Sequence, residues 1–139
     1  MERMTNIVQR LSRMGWDNPV ACADPVLWVP RELNKAADAV CNLVMDRRSH
    51  VVYRHPRIRG YLSERCNIKI SSDGGCRGGN VSATGWTVWA VRVGAGGEEV
   101  QEVVILKGGK LFDVGMASLE IETRALHECF EILVEILVF

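Results

Sequence analysis

The apolar positions of the first half of the chain recur mainly with helical spacing. Apolar residues share one face over residues 4–14, and the same spacing returns over residues 31–45. Between them, the short apolar run at 26–29 predicts a buried strand. Residues 46–66 are basic and weakly patterned, which predicts a linker with one short extended piece at 51–53. The first half is therefore predicted to be helix, strand, helix and linker.

The second half has the pattern of strands. Residues 67–71, 84–91 and 100–106 are rich in alternating or β-branched residues, and glycine-containing stretches separate them. Short connections of this kind favour antiparallel neighbours. Residues 116–138 return to helical spacing. We therefore predict a three-strand antiparallel meander with a helix, starting near residue 118, packed on one face.

Length and cysteine usage indicate the class of protein. A chain of 139 residues is about one domain long and can bury a substantial core. Its five cysteines form no CxxC pair and only three histidines accompany them, which disfavours structural zinc and indicates free thiols in a reducing compartment. The charged start lacks the pattern of a signal peptide, and no apolar run is long enough to span a membrane. We expect an intracellular protein without membrane association.

Charge is unevenly distributed although the net charge is zero. Residues 1–69 contain 12 Lys/Arg against 7 Asp/Glu, whereas residues 70–139 contain 5 against 10. A basic half beside an acidic half is typical of a protein that binds phosphate groups with one part and a metal ion with the other. The alternative is two solvated surfaces of unlike charge.

Asp73 is the first candidate for chemistry. It follows the predicted strand 67–71 and precedes four glycines within six residues, which predicts a carboxylate at a strand end beside a flexible bend. Exposed backbone N–H groups next to a carboxylate could hold a metal ion and a phosphate. The alternative is an ordinary turn aspartate.

Glu122 is the second candidate. It shares a helical face with four apolar residues, so we predict that it points toward the sheet rather than to solvent. The alternative is an acidic residue favoured in a first helical turn by the helix dipole. The four apolar residues are Ala125, Leu126, Cys129 and Leu133.

These motifs carry a resemblance to a known family. The strings DGGCRGG…ATGWTVWA and SLEIETRAL, within residues 67–137, resemble the opening half of ribonuclease H type 1 domains. The resemblance implies that Asp73 and Glu122 are catalytic carboxylates that bind Mg²⁺ or Mn²⁺. It also implies that the residues after Asp73 contact the backbone of an RNA–DNA hybrid, namely Gly74, Gly75, Cys76, Arg77 and Asn80. One extra glycine precedes Asn80 compared with the family's spacing.

An earlier segment resembles the other end of the same family. The string VLWVPRELNKAADAVCNLVMD, residues 26–46, is similar to the last strand and final helix of plant and retroelement ribonuclease H domains. The resemblance implies that Asp38 is the last metal-binding aspartate and that Asn34 contacts nucleic acid at the helix start. The implied fold is α/β: a ribonuclease H-like mixed sheet, the meander plus at least one added strand, with flanking helices, incomplete or permuted.

The two halves stand in reversed order along the chain. Residues 1–46 resemble the end of the family's domain, residues 67–139 resemble its beginning, and the basic linker 47–66 lies between. Either two tandem units meet here or the domain is circularly permuted, since domain termini are often close together. The family's fourth strand and its catalytic aspartate have no counterpart. Without the fourth strand, strand 26–29 would pair directly with strand 67–71, or residues 51–53 would fill the position of the fourth strand between them, or strand 26–29 would dock on another chain. We favour direct pairing.

The resemblance implies a function. Ribonuclease H enzymes hydrolyse the RNA strand of an RNA–DNA hybrid with two divalent ions about 4 Å apart. Because the fourth-strand aspartate is missing, we expect weak binding of a hybrid and poor or no cleavage by this chain alone. A second chain or neighbouring domain could complete the site. The alternatives are an inactive nucleic-acid-binding or assembly module and a fragment without function of its own.

Overall fold

The computed structural model describes residues 34–64 and 66–138, which form three helices and five strands. The helix predicted at 4–14 and the strand predicted at 26–29 lie outside the described residues. No helix in the described part is long and apolar enough to cross a bilayer. In chain order the elements are α1 (Lys35–Arg47), β1 (Val51–Arg54), α2 (Ile58–Ser63), β2 (Asn67–Arg77), β3 (Val81–Val93), β4 (Glu99–Gly109), β5 (Leu111–Phe112) and α3 (Ser118–Val138).

The strands form one open antiparallel sheet in the order β1-β4-β3-β2, with β5 paired to the start of β3. The predicted meander is confirmed, and its strands are longer than predicted. Strand β2 continues through Arg77, so the chain turns at Gly78 and Gly79, both with positive φ. The expectation that the strand ends before Asp73 is therefore wrong: Asp73 lies within β2, opposite Gly85 of β3.

The segment predicted as a linker contains β1 and α2. Strand β1 confirms the extended piece, but it pairs with β4 at the opposite edge of the sheet from β2. The alternative in which this segment occupies the position beside β2 is therefore wrong. Helix α2 is anchored because Ile58 and Leu62, four residues apart on one helical face, are both buried.

Helices cover both faces of the sheet. On one face, α3 packs Cys129, Leu133 and Ile136 against the large side chains of β3 and β4. On the other face, α1 packs Val40 and Cys41 against β3. Successive side chains of a strand point to opposite faces, so β3 serves both cores. The protein is thus a mixed α/β domain with an open antiparallel sheet between flanking helices.

The two glycines after Asp73 serve this packing rather than a bend. A Cβ on Gly74 would lie 2.7 Å from the Ile121 carbonyl carbon in α3, closer than real contacts allow. A Cβ on Gly75 would lie 3.3 Å from the Cys41 sulfur of α1, on the other face. The two glycines, which in the sequence suggested a flexible bend, are therefore needed for the close approach of the two helices.

Glu128 is a buried carboxylate that the sequence did not reveal. It is 6% exposed, and its Oε2 accepts a hydrogen bond of 2.7 Å from the Thr84 hydroxyl. That hydroxyl oxygen in turn accepts the Lys110 backbone N–H at 2.9 Å. Burial raises the pKa of Glu128 above its ordinary value, because a charged carboxylate loses hydration in the core.

We expect Glu128→Gln to flatten the pH dependence of stability. The raised pKa means that the wild type loses stability as the pH rises from about 4.5 through the folded-state pKa. A neutral amide still accepts the Thr84 hydrogen bond and carries no charge to bury. The free energy of unfolding of the variant should therefore increase relative to that of the wild type as the pH rises. Urea unfolding from pH 4 to 8 measures this, with the exposed Glu135→Gln as control; a pH-independent difference would contradict it.

Candidate metal and nucleic-acid site

Helix α1 runs along β2 in the same direction. At one end Asn34 contacts Ser71 and Ser72, and at the other Asp46 pairs with Arg77. The twelve residues from 34 to 46 advance about 18 Å along the helix, and the six residues from 71 to 77 advance about 20 Å along the strand. Because the two lengths are nearly equal, successive helical turns lie beside successive pairs of strand residues. We call this the α1–β2 seam. It consists of Asn34 at the N-cap of α1 and of Asp38, Asn42 and Asp46 at the following fourth positions of the helix, with Ser71, Asp73, Gly75 and Arg77 at every second position of the strand.

Gly85 allows α1 to lie this close to the sheet. A Cβ there would lie 2.5 Å from the backbone nitrogen of Cys41 and would also collide with the Ala37 carbonyl oxygen. Since Gly85 is the cross-strand partner of Asp73, the backbone of α1 lies directly beside Asp73. The absence of one side chain on β3 thus determines how near Asp38 comes to Asp73.

Asp38 and Asp73 line one pocket at the seam. Cys41, Asn42, Gly75 and Arg77 contribute to the same walls. The Asn42 amide donates a 3.3 Å hydrogen bond to Oδ2 of Asp38. Both carboxylates are partly exposed, so solvent reaches the pocket. Two acids 35 positions apart in the sequence therefore line the same pocket.

The pKa of the Cys41 thiol reflects the negative charges of Asp38 and Asp73. Burial, followed by the negative charges of Asp73 and then Asp38, raises the pKa of its thiol to about 12. Its Sγ–H donates to the Ala83 carbonyl oxygen at 3.3 Å. The Cys41 thiol is therefore neutral near pH 7 and does not add to the negative charge of the two carboxylates.

This donor set fits a hard divalent cation. Mg²⁺ prefers oxygen ligands and is commonly held by one or two carboxylates, with water and substrate phosphate completing its shell. Asp38 and Asp73 would be those carboxylates. Within the described residues, no group of three or more His, Cys, Asp or Glu side chains could hold a metal ion. Two carboxylates would leave most of the coordination positions of such a cation to water and phosphate.

Glu122 departs from the sequence expectation. Its side chain is exposed, so the prediction that it points toward the sheet is wrong. Ile121 and Ala125 are fully buried and define the inner face of α3, and Glu122 is one helical step of about 100° away from Ile121. Its backbone nitrogen nevertheless lies against Gly74, on the opposite face of the sheet from α1. Glu122 is the fifth residue of α3 and thus lies in its second turn, next to the strand that bears Asp73.

The remaining candidates lie along β2 and its ends. The Asn34 amide donates to the Ser72 carbonyl oxygen at 2.7 Å, and its Oδ1 accepts from the Ser71 hydroxyl. Cys76 is exposed, and its sulfur donates to the Met116 carbonyl oxygen at 3.0 Å. Asn80 is exposed in the turn after β2. Gly74, Gly75, Cys76 and Arg77 are therefore strand residues, not the loop that the sequence predicted.

Sequence reasoning missed two seam residues. Asn42 and Asp46 follow Asp38 at four-residue spacing, and both contact Arg77. The spacing places them on the face of Asp38. It does not reveal their strand partner, which lies more than 30 positions away.

Comparison with known proteins does not identify a family. No protein-family profile, curated protein or solved structure matches this chain. The functional proposal therefore rests on the geometry of the α1–β2 seam.

Proposed function

We propose that this protein binds RNA–DNA hybrids and slowly hydrolyses their RNA strand at a divalent cation held by Asp38 and Asp73. The observation that carries the proposal is the shared, solvent-reached pocket of these two acids. Carboxylate oxygens that line one open pocket are ligands of the kind that Mg²⁺ takes together with water and substrate phosphate.

A ribonuclease H-like arrangement is part of the proposal. The resemblance implied a meander whose first strand bears an aspartate, a helix after the third strand, and a final helix with a second aspartate. Here β2 bears Asp73, α3 follows the meander, and α1 brings Asp38 from the opposite face of the sheet from α3. The agreement supports a rearranged ribonuclease H-like domain in which the end of the fold precedes its beginning.

The chain's own residues have separate roles in this proposal. Asp38 and Asp73 would hold Mg²⁺ or Mn²⁺, which supplies a polarised water and charge stabilisation for phosphodiester hydrolysis. Asn42 orients the Asp38 carboxylate through its amide. The neutral, buried Cys41 closes the inner side of the pocket without competing for the cation.

A basic edge of the protein supports nucleic acid as the ligand. Residues 47–59 contain five exposed arginines and no acidic residue, and the exposed acids Asp46 and Glu64 flank this stretch. Within the described residues, none of the five takes part in an ion pair. Arginines of this kind bind phosphates without sequence preference, with an affinity that falls steeply with salt. They are Arg47, Arg48, Arg54, Arg57 and Arg59.

The hydrolysis is proposed to be slow because the carboxylate set is small. Two acids share the pocket in the described part of the chain, and the sequence has no counterpart of the family's fourth-strand aspartate. Loss of one group that stabilises charge in a transition state commonly costs about 10²–10³ in rate. Binding is less affected, since it depends mainly on phosphate contacts.

The proposal is tested with an end-labelled RNA–DNA hybrid in Mg²⁺ or Mn²⁺. We expect binding at low salt and slow cleavage of the RNA strand that Asp73→Asn removes while hybrid binding remains. Glu135→Gln, an exposed change on α3, serves as a charge-matched control and should behave as wild type. Failure to bind the hybrid even at low salt would refute the nucleic-acid proposal.

A nucleic-acid-binding module is the second candidate. It is favoured by the exposure of Glu122 and by the lack of a group of three metal-binding side chains within the described residues. The same assay separates the candidates. Hybrid binding with equal background cleavage by wild type and Asp73→Asn would favour the module over the ribonuclease.

A further inference from the structure

A second recess lies on the flank of α1 opposite to the α1–β2 seam. It has a volume of about 400 Å³, which is within the range of pockets that bind small organic molecules. Its wall is an apolar stripe of α1 that includes Ala39 and Leu43, and its floor on β3 and β4 includes Thr87, Trp89 and Lys107. We call this recess the α1–β4 groove.

Thr87 on the floor of the groove has a hydroxyl group without a partner. The residue is 2% exposed, and its Oγ1 forms no hydrogen bond. Buried polar atoms are nearly always paired, and an unpaired one is unfavourable because it has lost its contact with water. The stripe of α1 that forms the wall has only apolar side chains. A ligand with a hydrogen-bonding group would therefore satisfy the Thr87 hydroxyl.

An aromatic and a basic side chain continue the row of Thr87 across the sheet. Lys107 of β4 is the cross-strand partner of both Thr87 and Tyr53, and such partners point to the same face of a sheet. Lys107 is exposed and forms no ion pair within the described residues. Tyr53 is 45% exposed, and Arg54 of the basic edge follows it in β1. The groove therefore opens toward the basic edge.

This chemistry favours a nucleotide over an apolar protein segment as the occupant. A nucleobase has a flat apolar face, an edge of hydrogen-bonding groups, and a phosphate attached through its sugar. Proteins that bind single strands combine aromatic side chains for the bases with cations for the backbone. The apolar face of a helix would leave Thr87 unpaired and would bring no negative charge to Lys107.

We propose that the α1–β4 groove holds an unpaired base of single-stranded nucleic acid. Thr87 hydrogen-bonds the edge of the base, Trp89 packs against its ring, and Lys107 pairs with the adjoining phosphate. The inference deepens the proposed function, because it rests on nucleic acid being the ligand, and it does not depend on a bound cation. It adds a single-stranded segment to the paired hybrid as a ligand of this protein.

The test is fluorescence anisotropy of the full chain with a labelled, unstructured single-stranded oligonucleotide at low salt, without divalent cation. Thr87→Val replaces the hydroxyl by a methyl group and should weaken binding about two- to tenfold, the range for one hydrogen bond. Its stability should equal or exceed that of the wild type, since the lost hydroxyl is unpaired. Thr123→Val on α3, whose hydroxyl bonds only within its helix, is the matched control and should bind as wild type.

A second variant blocks the groove without removing a contact. Ala39 is exposed on α1 and lines the groove, so Ala39→Phe fills it without displacing the core. Strand binding should weaken about fivefold or more, the loss expected when one base no longer packs on an aromatic side chain. Unchanged strand binding by Ala39→Phe would overturn the inference.

A blunt RNA–DNA hybrid in the same assay tests the proposed function separately. Hybrid binding without strand binding would overturn the inference alone. Strand binding that depends on Thr87, without hybrid binding, would refute the hybrid proposal and leave the inference standing. Sedimentation without nucleic acid tests the other occupant: a wild-type dimer that Ala39→Phe dissociates would place a second copy in the groove and overturn the inference.

Discussion

Gly85→Ala is expected to destabilise the fold by about 3 kcal/mol, the upper part of the usual range for overpacking. The added methyl group meets the backbone of α1 at Cys41 and Ala37, and a backbone cannot move aside as a flexible side chain can. Helix α1 must shift, which also separates Asp38 from Asp73. Urea unfolding followed by circular dichroism measures the loss.

Gly60→Ala is the matched control. It makes the same chemical change inside helix α2, where a Cβ would meet no atom within 4 Å. Alanine is a better helix former than glycine by about 1 kcal/mol, so this variant should be as stable as the wild type or more so. Equal effects of the two substitutions would contradict the close packing of α1 on Gly85.

Asp38→Asn and Asp73→Asn are each expected to remove about half or more of the stabilisation by Mn²⁺ or Mg²⁺. A ligand at a concentration 100 times its dissociation constant stabilises the native state by about 2.7 kcal/mol. The wild type should show such a gain with saturating cation. Each variant replaces a charged oxygen ligand by a neutral amide, which should weaken binding by tenfold or more, or about 1.4 kcal/mol. Thermal unfolding with and without cation measures this gain.

The control for this prediction is again Glu135→Gln, which removes one negative charge from an exposed position of α3. It should retain the full stabilisation by cation. If wild type and both aspartate variants gain equally, the cation binds elsewhere and the Asp38–Asp73 site is wrong. If only one variant loses the gain, a single carboxylate binds the cation.

The strands were predictable because their patterns are local. Alternating and β-branched residues over 67–71, 84–91 and 100–106 identified the meander, and short glycine-containing connections identified its antiparallel pairing. The role of the glycines was not predictable in the same way. Glycine in a sequence looks the same whether it permits a bend or close packing, and Gly74 serves the second purpose.

The inward acid of α3 illustrates a second limit. The apolar stripe through Ala125 and Cys129 led to the prediction that Glu122 faces the sheet. The structure buries Glu128, because Thr84 of β3 provides a hydrogen bond at that point. That partner lies 44 positions away, and no local pattern indicates it.

The seam itself was partly predictable. Asp38 and Asp73 were each identified from strings that resemble one family, and the structure places both in one pocket. The pairing of Arg77 with Asp46 depends on how α1 is aligned along β2, which depends in turn on the missing side chain at Gly85. Contacts of this kind arise from tertiary packing and leave no periodic signal.

The most direct test of the central claim is the position of a bound Mn²⁺ ion in a crystal of this chain, located by its anomalous scattering. The account predicts a peak between the Asp38 and Asp73 carboxylates, within about 2.3 Å of an oxygen of each, in the range of hard-cation distances. A well-ordered Asp38–Asp73 pocket without such a peak at saturating Mn²⁺, or with Arg77 in its place, would contradict it.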